Sequence, residues 1–336
     1  MPRLSICAVL LAATCYTAAS AADRVILPSG DDGGAGVITG EVLEYSSQGL
    51  VVRLANGRER KIAAERIERV EPQRSEAHAT ADDALARGDL GAAIDGYRQA
   101  LSREPRRWVR RQLLAQLVGC YRRSGQVDLA GETFLVLARD DPASPHFACI
   151  PLAWSPSPPN PALVSRATRW LEATDQPAAV LLGASHLLAT QQRGDAAARL
   201  TDLSGSANPI IASLSAAQLW RTQTATATPA DLSRWESAIE NMPESVRVGP
   251  YFVLGLAYIQ KGDADAAAMA LLRVAFEYPQ DRNLAAESLL RAGEILDRAG
   301  HADEALTLFR ELGERYPDTP FAEQAARHAA TTTQSP

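Results

Sequence analysis

Five positions recur along this chain at a fixed spacing. Gly88, Ala93, Tyr97, Ala100 and Pro105 form one set, and Gly125, Ala130, Phe134, Leu137 and Pro142 repeat it 37 residues later (Gly88 to Gly125). A second pair stands near the other end. Gly255, Tyr258, Gly262, Ala267, Leu271 and Pro279 recur as Gly293, Leu296, Gly300, Ala305, Phe309 and Pro317, offset by 38 (Gly262 to Gly300). Each position suits an α-hairpin. The Gly after the first helix accepts the left-handed backbone of a C-terminal cap. The small Ala lets two helices approach closely, and the aromatic or Leu one turn later fills the space between units. The Pro stops the second helix. The tripeptide Arg-Gly-Asp, at Arg87-Gly88-Asp89 and again at Arg193-Gly194-Asp195, is then an inter-helix turn and not an adhesion signal. Its Gly is the cap, and its Asp starts the next helix.

These residues resemble the tetratricopeptide repeat, a helix-turn-helix unit of about 34 residues. The resemblance covers residues 74–144 and 248–330, two repeats each. It implies a mainly α, tetratricopeptide-type α-hairpin solenoid that binds peptides or helices on the first helix of each unit. Members that clamp a C-terminal carboxylate use Lys and Asn at set places. Here His78, Asp82, Ala115 and Gly119 stand there, so that ligand class is not expected. The run Ala285 to Ala330 is similar to the terminal repeats of bacterial periplasmic envelope proteins.

Between the repeat pairs, Pro142, Pro145, Pro151, Pro156, Pro158, Pro159 and Pro161 stop helices. Residues 145–161 read as a rigid, extended joint. Helical periodicity resumes over 162–247, as Leu163–Ala173, Ala178–Thr190, Ala196–Leu203, Ile210–Arg221 and Leu232–Asn241. Thr228-Pro229 reads as a cap with Pro in the first turn. These are degenerate helical pairs of the same type. Residues 24–72 have a different period. Arg24–Leu27, Val37–Tyr45, Leu50–Ala55, Arg58–Ile62 and Ile67–Val70 read as short strands, with Asn56-Gly57 as a hairpin turn. This module resembles the SH3-like or Sm-like small antiparallel β-barrels found ahead of such arrays, and would bury more by docking on the first repeat.

The first 21 residues read as a signal peptide. Arg3 precedes an apolar run, Leu4 to Ala13, and Ala19-Ser20-Ala21 offers a cleavage site. A lipoprotein anchor at Cys15 is disfavoured, because Thr14 is bulky for that processing. No later segment is long and apolar enough to cross a bilayer, so the expectation is an exported, soluble protein of the periplasm or cell envelope. Cys120 and Cys149 remain after cleavage. They either form a disulfide or stay as two buried thiols, the second being favoured by the apolar surroundings of Cys120. The formal charge of -6 argues against nucleic acid as a partner. The tail 331–336 reads as disordered.

No catalytic constellation, metal site or cofactor motif is expected. His78, His146, His186, His301 and His328 are scattered. Ser185-His186 resembles half of a nucleophile elbow, but the second Gly is missing and a helix surrounds it. Gly33-Gly34-Ala35-Gly36 precedes a strand, which does not suit phosphate binding. The partner is therefore an unidentified protein or peptide, and two features point to where it would bind. Arg106, Arg107, Arg110 and Arg111 surround Trp108 at a helix start, with Arg122 and Arg123 at that helix's end. Like charges four apart are unfavourable, so the cluster is either an anion-binding patch or, the reading favoured here, a solvated face paired with Asp82, Asp83 or Glu104. Phe252, Leu256 and Ile259 form an apolar stripe that would anchor a partner helix, or else pack on Leu232–Asn241. The whole reads as a non-enzymatic scaffold. A rival reading is a peptidoglycan- or carbohydrate-associated module using the barrel or the Arg-Trp cluster.

Overall fold

The computed structural model describes residues 22–29, 35–155 and 160–332. The expected signal peptide, Gly33 and Gly34 of the glycine-rich loop, Pro156, Pro158 and Pro159 lie outside them, as does the tail from residue 333. The chain divides into two compact units, residues 1–75 and 76–336.

The first unit is a five-stranded antiparallel sheet in the order β4-β3-β2-β1-β5. Its strands are β1 (Asp23–Ser29), β2 (Ala35–Ser46), β3 (Gly49–Arg53), β4 (Glu59–Ile62) and β5 (Arg69–Glu71). The strand positions follow the alternation in the sequence, but the expected barrel does not close. β4 and β5 are edges among the described residues. Closure would need these two strands to pair, and β5 is only three residues long. β2 serves two partners instead. It faces β1 up to Gly40 and β3 from Glu41 onward. Gly40 marks the change-over, where a Cβ would stand 2.4 Å from the carbonyl oxygen of Arg53. The Asn56-Gly57 turn forms as read, with Gly57 at φ 78° and its N–H donating to Leu54 O. Val25, Val42, Leu50, Val52, Ile62 and Val70 fill the interior. Asp23 is buried among them because its carboxylate accepts from Val42 N at 2.8 Å and Gln73 N at 2.7 Å.

The second unit holds fourteen helices among the described residues. The first four are α1 (Glu76–Ala86), α2 (Leu90–Arg103), α3 (Arg107–Arg123) and α4 (Val127–Asp140). A 3-10 turn at Phe147–Cys149 leads to α5 (Pro161–Glu172), α6 (Pro177–Leu187), α7 (Arg193–Leu203), α8 (Pro209–Trp220) and α9 (Pro229–Glu240). The last five are α10 (Val248–Lys261), α11 (Ala264–Glu277), α12 (Arg282–Arg298), α13 (Ala302–Arg315) and α14 (Pro320–Thr332). The final helix carries two residues, 331 and 332, of the tail expected to be disordered.

The hairpin device repeats four times. Gly88, Gly125, Gly262 and Gly300 all have φ between 74° and 89°. In each, the N–H of the following residue reaches back over the turn: Asp89 to Ala84 O, Gln126 to Tyr121 O, Asp263 to Tyr258 O and His301 to Leu296 O. Asp89 and Asp263 also cap the next helix, accepting from Ala92 N and Ala266 N at 3.0 Å. Ala93, Ala130, Ala267 and Ala305 are fully buried, as are Tyr97 and Phe134, and Phe309 is nearly so. Gly255 and Gly293 are small for a reason: a Cβ there would meet Leu271 at 2.7 Å and Phe309 at 2.5 Å across the hairpin. The second Arg-Gly-Asp is a correction. Gly194 lies in the first turn of α7 and has no left-handed backbone. The same three letters make a turn at one site and a helix at the other: Gly88 stands in the turn just past the end of α1, whereas by Gly194 the next helix, α7, has already begun.

In the middle of the unit the helices fall where periodicity put them, with altered packing. α5 and α6 form a close hairpin, and Gly183 meets the backbone of α5, not of α7. α6, α8, α10, α12 and α14 lie side by side as one inner layer. Asn160 and Asn208 each cap a helix beginning with Pro, and Thr228 forms a capping box with Asp231.

Candidate functional site

The face of the inner layer is where a repeat array of this kind offers a groove. Here the chain itself crosses it. The proline-dense stretch is not a joint between domains. It lies within the second unit, and Phe147, Ile150, Leu152 and Trp154 on it are buried. Residues 150–155 run as a strap over successive inner helices. The Pro151 carbonyl meets His186 Nε2 of α6 at 2.9 Å, and Ala153 N donates to Ser185 Oγ of α6 at 3.0 Å. Gln218 Nε2 of α8 donates to Ala153 O at 3.1 Å. Trp154 lies against Gly249 at the start of α10, and Ser155 Oγ donates to Glu287 Oε2 of α12 at 2.5 Å. Four helices thus grip one extended segment, each with a side chain or a gap of the right kind. An extended backbone offers unpaired N–H and C=O groups, so polar residues must line its bed. That is why Ser185, Gln218 and Glu287 are buried on helices whose polar residues would otherwise face water.

This arrangement settles the Ser185-His186 motif. Ser185 Oγ accepts from the strap and His186 holds a strap carbonyl, so the two serve packing. Burial pushes His186 down to about 4, well below the ordinary histidine value, and it is neutral at pH 7.

The arginine cluster is engaged by carboxylates of the same unit. Arg106 makes two contacts with Glu104, at 2.7 and 2.9 Å, and lies over the ring of buried Trp108. Arg107 and Arg111 share Asp140, at 2.6 and 3.1 Å. Arg110 donates to Leu101 O at 2.8 Å. Arg122 reaches Asp281 at 2.8 Å, tying the end of α3 to the start of α12, and Arg123 stands 3.8 Å from Asp318. The expectation of an open anion-binding patch is corrected: Arg106, Arg107, Arg111, Arg122 and Arg123 each stand against a carboxylate, and Arg110 is held by backbone carbonyls. Of the carboxylates foreseen for the alternative, Glu104 is a partner, while Asp82 accepts from the Tyr97 hydroxyl. Asp140, Asp281 and Asp318 were invisible to local spacing because they lie far along the chain: Asp140 ends α4, Asp281 precedes α12, and Asp318 stands between α13 and α14.

The apolar stripe divides. Phe252 is fully buried, so it belongs to the core. Leu256 and Ile259 are half-buried. Leu256 lines a cleft of about 170 Å³ together with Trp154, Leu188, Val253, Arg193 and Arg221. Cys120 and Cys149 are free thiols, pushed up to about 11 and about 12 by burial. No group of three or more His, Cys, Asp or Glu able to hold a metal occurs among the described residues, and no helix there is long and apolar enough to cross a membrane.

Residues 248–275 and 287–319 match family models described as tetratricopeptide repeat. They coincide with α10–α11 and with the greater part of α12–α13. These two segments are thus similar to tetratricopeptide repeats, and the glycine turns at Gly88 and Gly125 follow the same construction. No curated protein matches the chain.

Proposed function

We propose that the chain is an exported scaffold that binds protein partners through its repeat array in the periplasm or cell envelope, without catalysis. One observation carries the reading: two consecutive tetratricopeptide repeats whose turn glycines and buried alanines recur in two further hairpins. Such units present surface and bring no chemistry of their own. Export is supported by the apolar run and small-residue site of the first 21 residues. The strap already covers the centre of the inner face. Partner contact is therefore assigned to what it leaves open, beginning with the half-buried Leu256 and Ile259 on α10.

The test uses the full chain expressed with its N-terminus intact in a bacterial host. Processing near Ala22 and recovery in the periplasmic fraction are expected, whereas an unprocessed cytoplasmic chain overturns export. In-cell crosslinking should capture a stoichiometric protein partner that Leu256→Glu with Ile259→Glu loses. Capture undiminished by the pair, or no partner at all, overturns the assigned surface or the scaffold reading respectively.

A further inference from the structure

Arg221 is the most unusual cation in the molecule. It caps α8, and one nitrogen, Nη1, makes both of its hydrogen bonds, to Ser185 O at 2.8 Å and Gln218 Oε1 at 2.6 Å. Both acceptors are neutral. No carboxylate lies within ion-pair distance among the described residues. Burial draws Arg221 down to about 10, far below the ordinary guanidinium value. A buried charge without a counterion is costly, and folded proteins pair such groups. Its Nε and Nη2 are not among the buried atoms that lack a partner. They therefore keep some exposure, and Arg221 is one of the residues lining the cleft.

The cleft holds a second unpaired cation. Arg193 is exposed at the first position of α7, where the positive helix end makes a cation unfavourable, and no carboxylate pairs with it. Two guanidiniums thus line one cleft, each short of a negative partner. The carbonyl ends of α6 and α8 offset part of this charge, but half-charges at helix ends are weak beside a carboxylate. The remaining walls are apolar: Trp154 from the strap, Leu188, and Val253 and Leu256 from α10. A concave apolar pocket with a few convergent polar groups is the usual form of a small-ligand site.

We propose that this cleft binds a monocarboxylate carried on a small aliphatic or aromatic body. The carboxylate bridges Arg221 and Arg193, and the body lies against Trp154, Leu188 and Val253. The strap builds one wall, so the cleft exists only while the inner face is covered.

Calorimetric titration of the full chain with 3-methylbutanoate, against its uncharged amide, tests this. The acid should bind and the amide should bind at least about ten-fold more weakly, the scale of a lost charge-assisted hydrogen bond. Arg193→Gln, at the exposed rim, should weaken the acid several-fold without affecting folding. Arg221→Gln should abolish binding; if it unfolds the chain, Arg221→Lys, which keeps the charge and loses the fork, should weaken binding about ten-fold. A short peptide ending in Leu, as carboxylate and as carboxamide, separates a chain end from a free acid. Tighter binding of either carboxylate form supports the site. Equal affinity for acid and amide, no heat from any carboxylate at millimolar concentration, or undiminished binding by Arg193→Gln overturns it.

Discussion

If the strap is part of the core, Trp154 and Gly249 must be energetically coupled. A Cβ on Gly249 would stand 1.9 Å from Trp154 Cε2, far inside contact distance. Gly249→Ala alone should therefore destabilise by about 2 kcal/mol, the middle of the overpacking range. Trp154 is 6% exposed, so Trp154→Ala should cost about 3–5 kcal/mol. In the Trp154→Ala background the new methyl enters vacated space and replaces a helical glycine. There Gly249→Ala should be neutral or stabilising by about 0.5 kcal/mol. The double variant thus falls short of additivity by about 2–2.5 kcal/mol. Urea denaturation followed by circular dichroism gives the four stabilities. Amide exchange over α6–α12 should accompany it, since repeat arrays need not unfold as one unit. Additivity within about 0.5 kcal/mol would refute the packing, as would a Trp154→Ala effect confined to residues 150–155.

The two Arg-Gly-Asp sites predict opposite signs. Gly88→Ala, at φ 80°, should destabilise by about 1–2 kcal/mol, while Gly194→Ala, in a helix with nothing near its Cβ, should stabilise by up to about 1 kcal/mol; thermal melts of both decide it. His146 and His186 are both pushed down to about 4 by burial, from an ordinary value of 6.5. The unfolded chain therefore binds more protons between those limits. Stability is full above about 6.5 and falls as pH drops toward 4, by up to about 1.4 kcal/mol per pH unit for each histidine. A chain whose midpoint is flat from pH 7 to 5, or a His186→Gln variant with an unchanged slope, contradicts this.

The hairpins were legible because their requirements are local. A left-handed turn needs Gly within one residue of its position, and a tight crossing needs Ala within one turn. Gly88, Ala93 and their copies announce both. The strands of the first unit were legible by alternation and by Asn56-Gly57. Closure of the sheet was not, since it depends on whether two ends meet, and no periodicity records that. Nor could spacing show that Arg122 finds Asp281 across 159 residues of chain. The second Arg-Gly-Asp misled for the same reason: three letters do not say whether a helix has just ended.

The strap left a trace that proline density obscured. Prolines exclude a helix, but they do not say whether the extended chain meets water or protein. Phe147, Ile150, Leu152 and Trp154 do say so, because a solvated linker has no use for four large apolar side chains within eight residues (147 to 154). Their counterpart is a set of odd residues on the helices opposite: Gly249 where a larger residue would clash, and buried Ser185, Gln218 and Glu287. Each looks like surface or chance when its helix is taken alone. Together they describe a bed shaped for one extended segment. The same filling leaves Arg221 at its edge without a counterion. Covering the groove and creating the cleft are thus one structural event: the strap removes the broad surface a long peptide would need and, through Trp154, walls a small one suited to a compact anion.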